Sequence, residues 1–378
     1  MHARRGSTGP LYAGAVENCT SVGLVLLAVS LGLCPIVGCR AITPVGGPVD
    51  EGEGQVSVLV STGADHLVAS PDGSVLLAWT QGEDPSLSII DVRGRKREHE
   101  VRLPVRLVGR DGNPTAGYVS RIAMDDGLTT AWAATTEGQI FRIDLATGEL
   151  ETVLEDGEHA FTDVVVDGER GRILLATEEG EILAFAGGGL SRVLRISEEW
   201  VIGRMERSGT MLHLFARPEG IWGAGRDEGL LLSVDLARDR VAAETLLETG
   251  IAADLAPLEG GRVLVADSGK DRILQFAAGW ILEVTRETRD FPPAVIEADG
   301  ERVLVAYFGT PWSPVYEYGL ADGSPTLFPT AQYEFPDETV LDLALLRDGW
   351  FAIALEGREA VLLVHRTRAR PFGGFPAR

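Results

Sequence analysis

From Arg40 to the end of its 378 residues the chain has no cysteine; Cys19, Cys34 and Cys39 all lie in the first tenth. A body without thiols has no disulfide framework and no cysteine chemistry, and it suits an oxidising compartment as well as a reducing one. Lysine is scarce too. Lys96 and Lys270 are the only two, against 56 Asp and Glu, and the formal charge is −22. That charge excludes duplex nucleic acid as a partner, because a phosphate-binding face needs clustered cations. The six histidines, at 2, 66, 99, 159, 213 and 365, lack the HxxxH spacing of a metal-binding helix. No GxSxG nucleophile elbow is present. Gly223-Ala224-Gly225-Arg226-Asp227-Glu228-Gly229 does not have the spacing of a dinucleotide fingerprint. Asp267-Ser268-Gly269-Lys270-Asp271 has too few ligands for a calcium loop and reads as a turn, as does Met124-Asp125-Asp126-Gly127.

What the chain does have is a repeat. Ala134-Thr135-Thr136-Glu137-Gly138-Gln139-Ile140 returns 42 residues later as Ala176-Thr177-Glu178-Glu179-Gly180-Glu181-Ile182. Weaker copies place pivot alanines at 78, 134, 176, 224, 266, 306 and 354. Each copy is a set of short apolar runs separated by turns, the pattern of one small antiparallel sheet. Such a sheet has two apolar faces and buries both only by stacking in a ring. Seven pivots predict an all-β, seven-bladed β-propeller. The last unit supplies three strands, 340–345, 350–355 and 361–365, while the strand-like run 55–61 has no blade of its own. Closure is therefore expected by the N-terminal strand, with 55–61 as the outer strand beside 361–365.

Ser70-Pro71-Asp72-Gly73 with Ser88-Ile89-Ile90-Asp91-Val92, and Val265-Ala266-Asp267-Ser268-Gly269-Lys270-Asp271-Arg272-Ile273, resemble YVTN-type and NHL-type propeller repeats over roughly residues 62–366. Those repeats serve scaffolds, binders and some enzymes, so the resemblance implies a fold and not a reaction. At the other end, Val22–Val37 is an uncharged apolar run of 16 residues behind Arg4 and Arg5, short of the ~20 residues of a spanning helix and suited to a signal peptide. It ends in Ile36-Val37-Gly38-Cys39, which resembles a bacterial lipobox. The resemblance implies cleavage before Cys39 and lipidation of its sulfur. The expected organisation is a signal peptide over 1–38, a lipidated cysteine and Gly/Pro-rich tether over 39–54, the propeller over 55–366 and a tail over 367–378. The expected location is the bacterial cell envelope, with Arg40 after the cysteine favouring the outer membrane.

Counting 12 or 13 residues back from each pivot alanine gives His66, Arg121, Asp163, Leu212, Asp254, Ala294 and Asp342, near the start of each innermost strand. His66, Arg121, Asp163, Asp254 and Asp342 are thereby candidates for a site at one mouth of the channel. The competing reading is that they tie neighbouring blades together. Long insertions fall on the same face, at 104–118, 197–209, 285–293, 309–314 and 321–338. Trp200, Arg204, Tyr307 and Trp312 on or beside them are candidate recognition residues, with Phe308, Tyr316 and Tyr318 nearby; the alternative is that they cap the hydrophobic ring. Two functions follow. One is a non-enzymatic, lipid-anchored propeller that needs no cofactor and presents its loop face to an envelope protein or glycan. The other is a lactonase- or lyase-like enzyme using a divalent cation in the Asp/His funnel.

Overall fold

The computed structural model describes residues 56–81, 84–105, 118–197, 199–218, 228–248, 252–288, 292–299, 302–307, 314–321, 324–335, 338–366 and 370–371. The signal-peptide and lipobox residues, Trp312 and the pivot Ala224 lie outside them. No described helix is long and apolar enough to cross a membrane.

The described strands form seven antiparallel sheets. β1 (Val56–Val60) precedes the first blade. Blade 1 is β2 (His66–Ala69), β3 (Val75–Trp79), β4 (Ser86–Asp91) and β5 (Lys96–Arg102). Blade 2 is β6 (Val119–Met124), β7 (Thr130–Thr135), β8 (Gln139–Asp144) and β9 (Leu150–Glu155). Blade 3 is β10 (Phe161–Asp167), β11 (Arg172–Thr177), β12 (Glu181–Ala186) and β13 (Gly189–Arg195). Blade 4 is β14 (Trp200–Ser208), β15 (Met211–Pro218), β16 (Gly229–Asp235) and β17 (Arg240–Leu247). Blade 5 is β18 (Ala252–Leu258), β19 (Arg262–Asp267), β20 (Arg272–Ala277) and β21 (Ile281–Glu287). Blade 6 is β22 (Pro293–Ala298), β23 (Arg302–Tyr307), β24 (Val315–Ala321) and β25 (Ser324–Tyr333). Blade 7 is β26 (Val340–Leu345), β27 (Trp350–Leu355) and β28 (Val361–His365), and β29 (Arg370–Pro371) follows.

The fold is a seven-bladed β-propeller. β1 pairs with β28, from Val56 opposite Val364 to Val60 opposite Val361, so the N-terminal strand is the fourth strand of blade 7. Cores lie between blades. Leu174, Ala176 and Ile182 of blade 3, for example, pack with Leu212, Leu214 and Leu232 of blade 4. Alternation along each strand sends successive side chains into the two neighbouring interfaces, as a sheet buried on both faces requires.

The structure corrects several sequence expectations. The second strand of blade 4 is β15, and Phe215 rather than an alanine occupies the pivot register, opposite Arg204. Much of the supposed insertion 197–209 is the nine-residue strand β14, and most of 321–338 is the ten-residue strand β25. The tail also contributes: β29 pairs with β25, Gln332 opposite Arg370, and adds a fifth strand to blade 6.

Candidate functional site

The near-identical repeat strings are turns between the second and third strands of blades 2 and 3. Thr135 Oγ1 accepts the Gln139 N–H at 3.0 Å, and Thr177 Oγ1 accepts the Glu181 N–H at 3.2 Å. Gly138 and Gly180 have φ of +74° and +71°. A Cβ on Gly138 would stand 2.7 Å from the His159 carbonyl oxygen, and one on Gly180 would stand 2.5 Å from the carbonyl oxygens of Ser197 and Trp200. The loop into the next blade thus rests on each glycine, and Asp156 and Ile196 donate their N–H groups to the Gly138 and Gly180 carbonyls. Both the handedness of the turn and this close approach require glycine.

Six innermost strands, in blades 2 to 7, carry a bulge near their start. The residue after each bulge pairs with the pivot position. Around the ring these residues are Arg121, Asp163, Arg204, Asp254, Val295 and Asp342, with Leu67 opposite Ala78 in unbulged blade 1. A bulge re-aims the strand so that the next side chain reaches sideways toward the neighbouring blade.

The three aspartates follow one pattern. Asp163 Oδ1 accepts the N–H of Val164 at 2.8 Å, and its Oδ2 accepts the N–H of Met205 in blade 4 at 2.6 Å. Asp254 accepts from Leu255 at 3.0 Å and from Ile296 of blade 6 at 3.0 Å. Asp342 accepts from Leu343 at 2.8 Å and from Leu67 of blade 1 at 2.9 Å. These carboxylates are 2%, 6% and 6% exposed, so they sit between blades rather than open to the funnel. Blade-tying, the competing reading, describes their bonds. Burial pushes the Asp163 carboxyl up, opposed by the charges of Arg204 and Arg121 and by its two amide bonds.

Arg204 and Glu206, which the alanine spacing misses, form the centre of the ring. Arg204 lies 2.8 Å from Asp254 and 2.7 Å from Glu206. Arg121 of blade 2 reaches Glu206 of blade 4 at 3.6 Å, past blade 3. Burial alone would lower the Arg204 pKa, but Asp254, Glu206 and Asp163 raise it overall. Glu206 is pushed up by burial, against the pull of Arg204 and Arg121. Glu297, two residues beyond Val295 on β22, is pushed well up, by burial first and then by the neighbouring carboxylates Asp254, Glu206 and Asp342. His66 packs against Trp79 with ring centroids 5.1 Å apart and lies 3.6 Å from Asp342.

Leu212 and Ala294 are not channel groups. Leu212 belongs to the core between blades 3 and 4, and Ala294 is the buried bulge residue of β22. Among the recognition candidates, Trp200 is half-buried at the start of β14 and Arg204 belongs to the ring. Tyr307 is fully buried, along with Tyr316 and Tyr318, and its hydroxyl bonds the Tyr318 hydroxyl in the core between blades 5 and 6. These tyrosines therefore fill the ring and present no side chain to a partner. Among the described residues no three His, Cys, Asp or Glu side chains are grouped so as to hold a metal ion.

No family model matches the chain, and no curated protein matches it in sequence. Solved structures do match in fold. The β-propeller domain of Cps50 (Swd1) from Myceliophteria thermophila superposes with a TM-score of 0.63 at 12% identity, over 82% of this chain and 98% of that one. Hydrazine synthase from Kuenenia stuttgartiensis superposes with a TM-score of 0.62 at 13% identity, over 84% and 99%. Identities this low carry the fold alone.

Proposed function

We propose that this protein is a lipid-anchored propeller of the bacterial cell envelope that binds a protein or glycan partner through the face bearing its inter-blade loops. The observation that carries the reading is the bonding of Asp163, Asp254 and Asp342. Both oxygens of each accept backbone amides, two from its own blade and the next, so the aspartate ring is a girdle that holds the blades in register. A rigid ring supporting variable loops is the usual physical basis of a recognition surface. The anchor rests on Cys39 and the lipobox resemblance around it.

Crosslinking in intact envelopes, followed by identification of what is captured, tests the binding reading; a chain that captures nothing from the envelope counts against it. Cys39→Ala should release the protein from membranes and abolish fatty-acid labelling. Membrane association that survives the change overturns the anchor.

The metal-enzyme reading keeps one observation in its favour: Glu297 and Glu206, on the innermost strands of blades 6 and 4, are close enough to influence each other's charge and lack the double amide bonding of the aspartates. Elemental analysis decides it. Stoichiometric Ca²⁺, Mg²⁺ or Zn²⁺ that is lost in Glu297→Ala would replace the binding reading with the enzymatic one.

A further inference from the structure

The chain enters the ring at Val56, where β1 begins. β1 runs antiparallel to β28, with Val56 opposite Val364 near the end of that strand. The segment from Cys39 therefore joins the ring on the face of the turns between first and second and between third and fourth strands, opposite the inter-blade loops. Turns of blades 7 and 1 meet around this entry point. Arg95, between β4 and β5, donates to Ser57 Oγ at 3.2 Å, and its guanidinium carbon lies 5.8 Å from the centre of the Trp350 ring. Trp350 is half-buried against His365, with ring centroids 4.6 Å apart, and Arg366 donates its N–H to the Gly349 carbonyl at 2.9 Å. Arg347 packs on the blade 1 turn, where a Cβ on Gly73 would stand 2.8 Å from its backbone nitrogen. Over 92–96, 347–350 and 365–366 the exposed charges are Arg93, Arg95, Lys96, Arg347 and Arg366 against Asp348 alone. Lys96 is paired with Glu98 at 2.9 Å, and Arg366 reaches Glu317 at 3.6 Å with its side chain 56% exposed. Asp72 and Asp91, which flank these turns, are half-buried and accept donors of their own turns. In a chain of net charge −22 this is a basic patch.

The rim of the same face carries apolar side chains. Val241, Ile281 and Leu282 stand at the starts of β17 and β21, the end of the outer strands that Arg95 adjoins in blade 1, and are 37%, 65% and 52% exposed. The opposite face is acidic, with Glu137, Glu178, Glu179, Glu356 and Glu359 in the turns after the second strands of blades 2, 3 and 7. We infer that the face around Arg95, Arg347, Arg366 and Trp350 lies on the membrane and binds the phosphates of anionic lipid headgroups, with Ile281 and Leu282 touching the acyl boundary. The inference rests on the lipid-anchor reading and adds an orientation to it. An anionic leaflet attracts a basic cluster at its surface and repels a glutamate-bearing one. Tryptophan settles at the headgroup level, and exposed aliphatic side chains gain by entering the boundary below it. The patch surrounds the root of the tether, the part of the ring that an anchor holds nearest the bilayer, so contacts too weak to recruit a free protein act there at high effective concentration. The inter-blade loops then point away from the membrane, open to a partner.

The test is photolabelling of the protein, purified from membranes, in vesicles of phosphatidylglycerol and phosphatidylcholine that contain a phospholipid with a photoactivatable headgroup. Mass spectrometry then maps the labelled peptides. Label should concentrate on residues 93–96, 281–282 and 347–350 and should miss 137, 178–179 and 356–359. In vesicles of phosphatidylcholine alone it should fall about fivefold or more at 93–96 and 347–350 while the protein stays on the vesicles. The combined variant Arg95→Glu, Arg347→Glu, Arg366→Glu should lose label to the same extent in the anionic vesicles; the neutral-vesicle arm uses the unmodified protein and does not depend on how the variant folds. Label on the inter-blade face, or equal label with and without phosphatidylglycerol, overturns the proposal and leaves the anchor intact. Retention on an anionic polysaccharide with no label from lipid assigns the patch to a glycan and also overturns it. A protein that does not associate with the vesicles overturns the anchor, and this inference with it.

Discussion

Asp163 Oδ2 accepts the backbone N–H of Met205 at 2.6 Å, joining two residues 42 apart in sequence and one blade apart in the ring. Asp254 does the same for Ile296, also 42 residues on. The bond spans one repeat, so it measures the register between neighbouring blades.

Removing such a carboxylate leaves two buried amides without acceptors, each costing about 1–3 kcal/mol. Asp163→Ala and Asp254→Ala should each lower stability by about 2 kcal/mol or more in urea unfolding. Asp163→Asn, which keeps one good acceptor, should fall between alanine and the parent. An alanine variant as stable as the parent would show that the girdle does not hold the blades.

Glycine at the repeat turns is required by geometry. Gly138→Ala and Gly180→Ala combine a positive φ with a Cβ pressed onto backbone carbonyls. Each should destabilise the propeller by more than the ~1 kcal/mol typical of a left-handed position alone. Gly171 has φ +59° but open space around its Cβ position. Gly171→Ala should therefore cost measurably less in thermal unfolding, and equal losses at the three sites would refute the packing argument.

His213 is 3% exposed in the interface between blades 4 and 5, with Nδ1 2.9 Å from Ser233 Oγ and its ring edge-on to Trp280. Burial pushes its pKa from 6.5 down to about 4. Below pH 6.5 the unfolded chain takes up a proton that the native state refuses. Stability from this group is thus full above 6.5 and lost as pH falls toward 4, by about 3 kcal/mol in all. His213→Gln carries no titrating group. The difference in unfolding free energy between variant and parent should change by that amount between pH 7 and 4, and a difference constant over that window would sink the assignment.

Glu297 works in the opposite direction. The charged groups facing it are Asp254 from β18, Arg204 and Glu206 from β14, and Asp342 from β26. Because its pKa is raised above the ordinary 4.5, the folded chain keeps a proton that the unfolded chain releases. Its effect on stability is nil below 4.5 and increasingly unfavourable as pH rises above it. Glu297→Gln should therefore raise the melting temperature at pH 7 and 8 and leave it unchanged near pH 4. A variant less stable than the parent at pH 8 would mean that an ionised Glu297 is held by favourable contacts.

Much of this architecture is legible in the chain because its signals are local. The alanines at 78, 134, 176, 266, 306 and 354 recur where the second strand faces the inner strand and little room remains for a side chain; all six are buried in the structure. Blade 4 breaks the pattern because Phe215 takes the pivot register, its larger ring packing with Leu231, Leu255 and Trp280 in the interface with blade 5. A count based on alanine therefore lands on Leu212 and passes over Arg204. The near-continuous apolar run Met211-Leu212-His213-Leu214-Phe215, buried from Leu212 onward, is the signal that marks the true strand. Tyr307 is misplaced for a related reason. An aromatic residue near a loop has the same sequence appearance whether it points outward or is drawn in by a hydroxyl partner such as Tyr318.

The sequence by itself determined the number of blades, the closing strand and the glycine turns, because each depends on a few adjacent residues and on the period at which they recur. Only the tertiary structure decided what the ring residues do. Whether Asp163 is a ligand or a clamp depends on the Met205 amide 42 residues away, and whether Glu206 is free or paired depends on Arg121 reaching it from two blades back. Such bonds are set by how blades stack around a closed ring, a relation between distant segments that no local spacing encodes.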